Sequence, residues 1–357
     1  MPHTSSLDDY RLLGRSGLRV SPLALGTMTF GEEWGWGAGP DEAARIFDLY
    51  LDRGGNFVDT SVNYTDGAAE RLLGHFLKGR RERVVVGTKF TMAREPGNPN
   101  SGGNHRLNMI RSVETSLRQL DTDRIDLLYL HGWDFTTSAQ EVMRGLDDLV
   151  TGGKVVYVGI CNTPAWRIAE MQTTADLLNW SPFVALQIEY SLIQRTVEHE
   201  LMPLAANKGM GVVPWSALGG GVLTGKYGRD DLADGNGQGA AAGSRKGVIE
   251  ASGNLTERTL AIADVVREVA AELHAEPAQV ALAWTLAHPS VTAPVIGART
   301  LAQAEKNIAA LDVVLAEEHL QRLDAASSPE PIFPASFMQR PLAKGLVFGG
   351  ATVATRG

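Results

Sequence analysis

The feature that most constrains this chain is an alternation of short apolar runs with helix-like segments, repeated eight times. The runs lie at 23–26, 56–59, 84–89, 125–131, 155–160, 184–188, 211–215 and 291–296, with the aliphatic and β-branched composition of strands. Helix-like segments follow at 41–53, 68–78, 104–120, 139–151, from 164 onward, 197–207, 256–273 with 277–287, and 301–310. Strands that read apolar on both faces belong to a parallel sheet covered on both sides. The fold class expected is therefore α/β, and eight units favour a (β/α)8 barrel. The rival is an open, doubly wound sheet, which would carry G-x-G-x-x-G after its first strand. Here the first strand runs into Gly26-Thr27-Met28-Thr29-Phe30-Gly31, without that pattern. Ahead of the barrel, two short strands around Gly14-Arg15-Ser16-Gly17 predict a β-hairpin.

One domain is expected over 1–357, with a core at about 10–327 and a tail at 328–357. A Gly-, Ala- and Asp-rich stretch at 229–254 reads as a long loop after the seventh strand. A C-terminal helix precedes a proline-bearing tail, in which Ile332, Phe333, Phe337 and Met338 are placed to fold over a pocket.

Composition excludes several classes. The net charge of −8 argues against a nucleic-acid surface, so any phosphate-bearing ligand needs local basic groups. The single cysteine, Cys161, rules out an internal disulfide framework and a cysteine-rich metal site. Met1 to Arg19 lacks an apolar signal segment, and no run is long enough to span a bilayer. A cytoplasmic protein is expected, with no membrane and no nucleic-acid partner.

In such a barrel the chemistry sits at the C-terminal ends of the strands. Those ends read Gly26-Thr27, Asp59, Lys89, His131, Asn162, Gln187, Trp215-Ser216 and Gly297-Ala298-Arg299. Packing alone does not require polar groups there. An unpaired ammonium ending a buried strand costs several kcal/mol or loses its proton, so Lys89 requires a carboxylate, and Asp59 ends the preceding strand. Tyr64 lies five residues beyond Asp59. A phenol titrates near ~10 and needs a neighbouring cation to act as an acid at neutral pH.

These pieces resemble the aldo-keto reductase family over nearly the whole chain. The matching stretches are Leu25-Gly26-Thr27, Phe57-Val58-Asp59-Thr60-Ser61 with Tyr64, Gly87-Thr88-Lys89, Asp126 to His131, Leu186 to Tyr190, Pro214 to Leu218 and Ile296 to Arg299. Gly103-Asn104-His105 and Asn162 to Trp166 are most similar to the bacterial and fungal aryl-alcohol dehydrogenase branch. The resemblance implies NADPH-dependent reduction of aldehydes and ketones, with Asp59, Tyr64, Lys89 and His131 as the catalytic tetrad and Tyr64 as general acid. Asp59, Gly26, Thr27 and Met28 would border the nicotinamide ribose. Asn162, preceded by Cys161, and Gln187 would grip the carboxamide, and Trp215 would stack on the ring. Ser216, Leu218, Gly220, Leu223 and Lys226 would hold the pyrophosphate. Gly297 and Arg299 would meet the 2′-phosphate, and Gln303 and Asn307 the adenine. Cys161 stands where the family usually has Ser, and Lys306 where an acidic residue is common.

Trp34, Trp36, Phe90 and Trp133, with Phe135, Tyr190 and Phe333, are candidates for a substrate pocket suited to aryl or other bulky carbonyl compounds. Other readings of the same fold are a dedicated biosynthetic reductase for a keto-deoxysugar or polyketide, for which Arg94 and Arg106 are available near the mouth, and an NADPH-binding regulatory subunit. A metal-dependent hydrolase lacks the clustered ligands it would need. The protein is expected as a monomer or homo-oligomer.

Overall fold

The computed structural model describes residues 6–232 and 253–351. The hairpin forms from β1 (Arg11–Leu12) and β2 (Arg19–Val20), antiparallel, with Arg11 opposite Val20. Eight parallel strands follow: β3 (Ala24–Gly26), β4 (Phe57–Asp59), β5 (Val85–Phe90), β6 (Ile125–Leu130), β7 (Val155–Cys161), β8 (Phe183–Glu189), β9 (Gly211–Trp215) and β10 (Val295–Gly297). Their order is β10-β3-β4-β5-β6-β7-β8-β9. The ring closes just before β10. The Val212 amide donates to the Ser290 carbonyl at 3.2 Å, and the Thr292 amide donates to the Val212 carbonyl at 2.8 Å. Helices alternate with the strands, and the (β/α)8 barrel is the observed fold.

Strand alternation sorts the side chains. One face of β5 to β9 carries Gly87 and Lys89, Leu127 and Tyr129, Gly159 and Cys161, Ala185 and Gln187, and Val213 and Trp215. This face fills the barrel: Leu127, Tyr129, Cys161, Ala185 and Val213 pack with Phe57 and with Leu13 and Val20 of the hairpin. The hairpin thus plugs the N-terminal end. The other face, including Phe90, Leu128, Leu130, Ile160, Leu186 and Ile188, packs against the helices.

Residues 233–252 of the loop expected at 229–254 lie outside the described residues. The C-terminal helix is Glu317–Ser327, and the tail adds two short helices, Ala335–Met338 and Pro341–Phe348. The tail does not fold over a pocket with the apolar residues expected to do so: Ile332, Phe337 and Met338 are exposed and Phe333 is 78% exposed. Among the described residues, no helix is long and apolar enough to cross a membrane, and no three metal-ligating side chains cluster.

Candidate active site

The barrel register brings the strand ends together. Gly26 pairs with Asp59, Asp59 with Gly87, and Lys89 with Tyr129. β5 runs past the Asp59–Gly87 pair to Lys89, His131 follows the end of β6, and Asp59, Lys89 and His131 converge at the mouth of the barrel.

Lys89 is the hub. Its ammonium donates to Asp59 Oδ2 at 2.5 Å, to the Thr60 carbonyl at 2.7 Å and to the Tyr64 hydroxyl at 3.2 Å. Both Lys89 and Asp59 are buried. Burial works against the charge on Lys89, but Asp59 and Tyr64 outweigh it, and the pKa moves up from the ordinary lysine value. The ammonium also lies 4.7 Å from the centre of the Tyr64 ring. For Tyr64, burial pushes the phenol up, Lys89 pulls it down, and the net direction is up. The expected lowering by Lys89 is thus present but smaller than the cost of burying a phenolate.

His131 packs edge-on to Tyr64, ring centres 5.9 Å apart. Burial and the nearby Lys89 push its imidazole down to about 3, so it is neutral at neutral pH. Its Nδ1 lies 3.4 Å from the Ser61 hydroxyl. Burial pushes the Cys161 thiol up, which leaves it neutral.

Sequence reasoning did not foresee the partner of Gln187. This side chain crosses the barrel and donates from Nε2 to Asp59 Oδ1 at 2.7 Å. Asp59 is therefore held on both oxygens. Asn162 is also engaged: its amide donates to the His131 carbonyl at 3.0 Å, and its oxygen accepts from Trp215 Nε1 at 3.0 Å. The Asn162 amide retains one hydrogen and one lone pair, and the Gln187 carbonyl oxygen retains both of its lone pairs.

Beyond β9, Ser216 has φ 58°, and Gly219, Gly220 and Gly221 have φ of 56°, 66° and 105°. Only this left-handed run lets the chain double back, and glycine adopts it without steric cost. A side chain at Gly221 would meet the Lys226 ammonium at 3.0 Å. Lys226 thus brings a cation against this turn, whose own Gly219, Gly220 and Gly221 amides donate to the Ser216 carbonyl, the Ser216 hydroxyl and the Leu218 carbonyl. Leu218 is partly buried; Leu223 is fully buried and offers only its backbone.

On the opposite side of the mouth, Gly26 and Thr27 are buried, with the Thr27 hydroxyl donating to the Asp59 carbonyl at 3.2 Å, while Met28 is exposed. Asn307 donates to the Gly297 carbonyl at 3.1 Å, and Gln303 accepts from the Arg299 amide at 2.9 Å. Arg299 sits just before the helix Leu301–Ile308. A carboxylate is also present there: Glu42 accepts from the Leu301 amide at 2.6 Å and pairs with Arg45 at 2.7 Å. Lys306 pairs with Glu276 at 2.9 Å on the surface.

The substrate-pocket expectations divide. Trp34 lies beside the site, its ring 6.3 Å from Tyr64 and 6.1 Å from Trp36. Phe90 is instead buried among Met109, Val113 and Leu130 behind the sheet. Adjacent strand residues face opposite ways, so Phe90 must point outward when Lys89 points inward. Tyr190 is likewise buried outside the barrel, against Trp284 at 5.3 Å, with its hydroxyl donating to Glu198 at 2.8 Å. Trp133 is buried in the core, with the Arg167 guanidinium 4.9 Å from its ring centre. Phe135 is exposed. Arg106 pairs with Asp148, and Arg94 donates to Thr115 at 3.0 Å, so both are engaged at the helix Arg106–Gln119 or its neighbour.

With this geometry in view, comparison with known proteins is decisive. The aldo/keto reductase family model matches residues 22–328. The chain belongs to the aldo/keto reductase family. It is 35% identical to norsolorinic acid reductase A of Aspergillus parasiticus over 340 residues, covering 92% of this chain and 84% of that protein. It is 36% identical to the aldo-keto reductase ausK of Emericella nidulans over 343 residues, with the same coverage of 92% and 84%. It is 33% identical to the aryl-alcohol dehydrogenase [NADP(+)] of Phanerodontia chrysosporium over 326 residues, covering 86% and 83%.

Proposed function

We propose that this family member reduces aryl or other bulky aldehydes and ketones to alcohols with NADPH, with Tyr64 as the general acid. The observation that carries the proposal is the buried Lys89 ammonium bridging Asp59 at 2.5 Å and the Tyr64 hydroxyl at 3.2 Å. When bound, NADPH supplies the hydride that adds to the carbonyl carbon. The oxygen then gains negative charge and needs a proton.

Tyr64 is a neutral phenol at neutral pH and carries that proton. As it leaves, the Lys89 ammonium stabilises the phenolate, and Asp59 keeps Lys89 charged and in place. Neutral His131 hydrogen-bonds the carbonyl oxygen or orients Tyr64. Trp34 walls the site on the Tyr64 side. The cofactor assignment rests on the Gly219–Gly221 turn with Lys226, on the spare positions of Asn162 and Gln187, and on Arg299. A guanidinium suits a 2′-phosphate, and one relative is named for NADP.

The test is NADPH oxidation by the purified protein against a panel of aryl aldehydes, aliphatic aldehydes, diketones and keto-sugars. For Tyr64→Phe, kcat should fall by ~10²–10⁴ with NADPH binding retained. Equal turnover by wild type and variant sinks the acid assignment; no NADPH binding by either sinks the cofactor assignment. Relatives named norsolorinic acid reductase favour a second reading, a reductase dedicated to one biosynthetic ketone. With norsolorinic acid added to the panel, its turnover and no other would select this reading.

A further inference from the structure

The tetrad uses one face of β5; a second carboxyl lies against the other. Glu70 is fully buried in the first turn of the helix Ala68–Phe76, which begins four residues after Tyr64. Its Oε1 accepts from the Thr88 hydroxyl at 2.5 Å, and its Oε2 accepts from Gln119 Nε2 at 3.2 Å. Thr88 is the neighbour of Lys89 and points outward because Lys89 points inward.

Between Tyr64 and this helix the backbone is strained. Thr65, Asp66 and Gly67 have φ of 45°, 51° and 82°, three left-handed residues in succession. For a β-branched threonine this is costly and persists only where surrounding contacts impose it. Two sets of contacts do so. The Thr65 hydroxyl donates to the Phe30 carbonyl at 2.8 Å and accepts from the Ala69 amide at 3.0 Å. The other is made by Gln119, which donates to Glu70: the Gln119 Oε1 occupies the space a side chain at Gly67 would need and accepts from Arg71 at 3.2 Å.

We propose that Glu70 is a positioning residue: by bonding Thr88 it holds the strained turn after Tyr64 in register with β5, and so holds the Tyr64 hydroxyl at Lys89. Its effect on turnover rests on the reductase reading above; its effect on the turn does not.

The charged and polar groups around Glu70 are Thr88 and Lys89 of β5, Ser116 and Gln119 of the helix Arg106–Gln119, Arg71 of its own helix and Arg94 of the following loop. Burial pushes the carboxyl up to about 7, against the hydrogen bonds from Thr88 and Ser116 and the charges of Lys89 and Arg71. The folded form therefore binds this proton more tightly than the unfolded chain. Its stabilising contribution is complete below the unfolded value of 4.5 and is lost as pH rises through about 7.

Three measurements test the proposal. In Glu70→Ala, kcat should fall ~10–100-fold, the scale of an ångström-sized misplacement, with the NADPH Kd little changed. Amide hydrogen exchange at 65–69 should accelerate in the same variant. Glu70→Gln, which can still accept from Thr88, should restore most of kcat and abolish the stability loss between about pH 4.5 and 7. If Glu70→Ala does not fold, Thr88→Val removes the tie alone and should show the same loss of kcat and protection. Wild-type kcat and wild-type exchange in a folded variant lacking the tie would overturn the proposal. Parallel stability curves for wild type and Glu70→Gln would overturn the burial on which it depends. If wild type reduces no carbonyl at all, the reductase reading fails, and exchange at 65–69 still decides whether Glu70 holds the turn.

Discussion

The two ends of this barrel are built from the same eight strands and obey different rules. At the N-terminal end, Leu13 and Val20 of the hairpin pack into Phe57, Leu127, Ala185 and Val213, a wholly apolar plug. At the C-terminal end the strands finish in Asp59, Lys89, Gln187 and Trp215, joined by hydrogen bonds that cross the barrel. Backbone strain divides likewise. Left-handed non-glycine residues follow the strand ends at Thr65, Asp66, Thr91, Phe135, Asn162 and Ser216. Away from the mouth, Asp121, Asn179 and His274 have this conformation just beyond helix C-termini, where it is an ordinary way to end a helix. One end is shaped to exclude water, and the other holds polar groups in positions that cost free energy. Stability and chemistry are therefore separable along the barrel axis, except where a mouth residue is itself buried.

Lys89, buried together with Asp59, is such a residue and gives the largest expected effect. Lys89→Met leaves Asp59 buried beside an apolar side chain, so unfolding should become easier by ~3–5 kcal/mol while turnover is lost. Chemical denaturation and steady-state rates read the two losses; an unchanged midpoint breaks the account of the buried pair. At the base, Leu13→Ala should cost ~2–5 kcal/mol with kcat of the folded protein unchanged. A fall in kcat at temperatures where the variant is fully folded would show that the two ends are coupled.

His131 sharpens the comparison through pH. Its imidazole, ordinarily at 6.5, is held down to about 3, so protonation favours the unfolded chain as pH falls below 6.5. His131→Gln should remove that acid-side loss of stability, and matching acid-side curves for the two proteins would refute it. Arg299→Ala should weaken NADPH by ~10–100-fold, about the 1.5–3 kcal/mol of a charged hydrogen bond, and leave NADH nearly unaffected. Fluorescence titration with both nucleotides measures it; equal weakening would place the 2′-phosphate elsewhere.

The strands were legible because covered parallel strands must be apolar, and the cluster at the mouth because Asp59, Lys89 and His131 interrupt those runs at their ends. Phe90 and Tyr190 were misplaced by attention to strand ends without regard to side-chain direction, although Lys89-Phe90 adjacency alone assigns them opposite faces. Glu70 also left a trace: it lies three residues before Leu73, on the buried side of its helix. The bond from Gln187 to Asp59 left none, because it joins residues 128 positions apart across the barrel.

The amino-acid sequence by itself determined the eightfold α/β alternation, the apolar faces, and the identity of the groups at the strand ends, since these follow from local periodicity and residue chemistry. Only the tertiary structure decided how far each strand projects, which amides hold Asp59, and how strongly burial offsets Lys89 at the Tyr64 phenol. Register, cross-barrel distance and desolvation arise from the whole ring closing at once, and no single stretch of chain contains them.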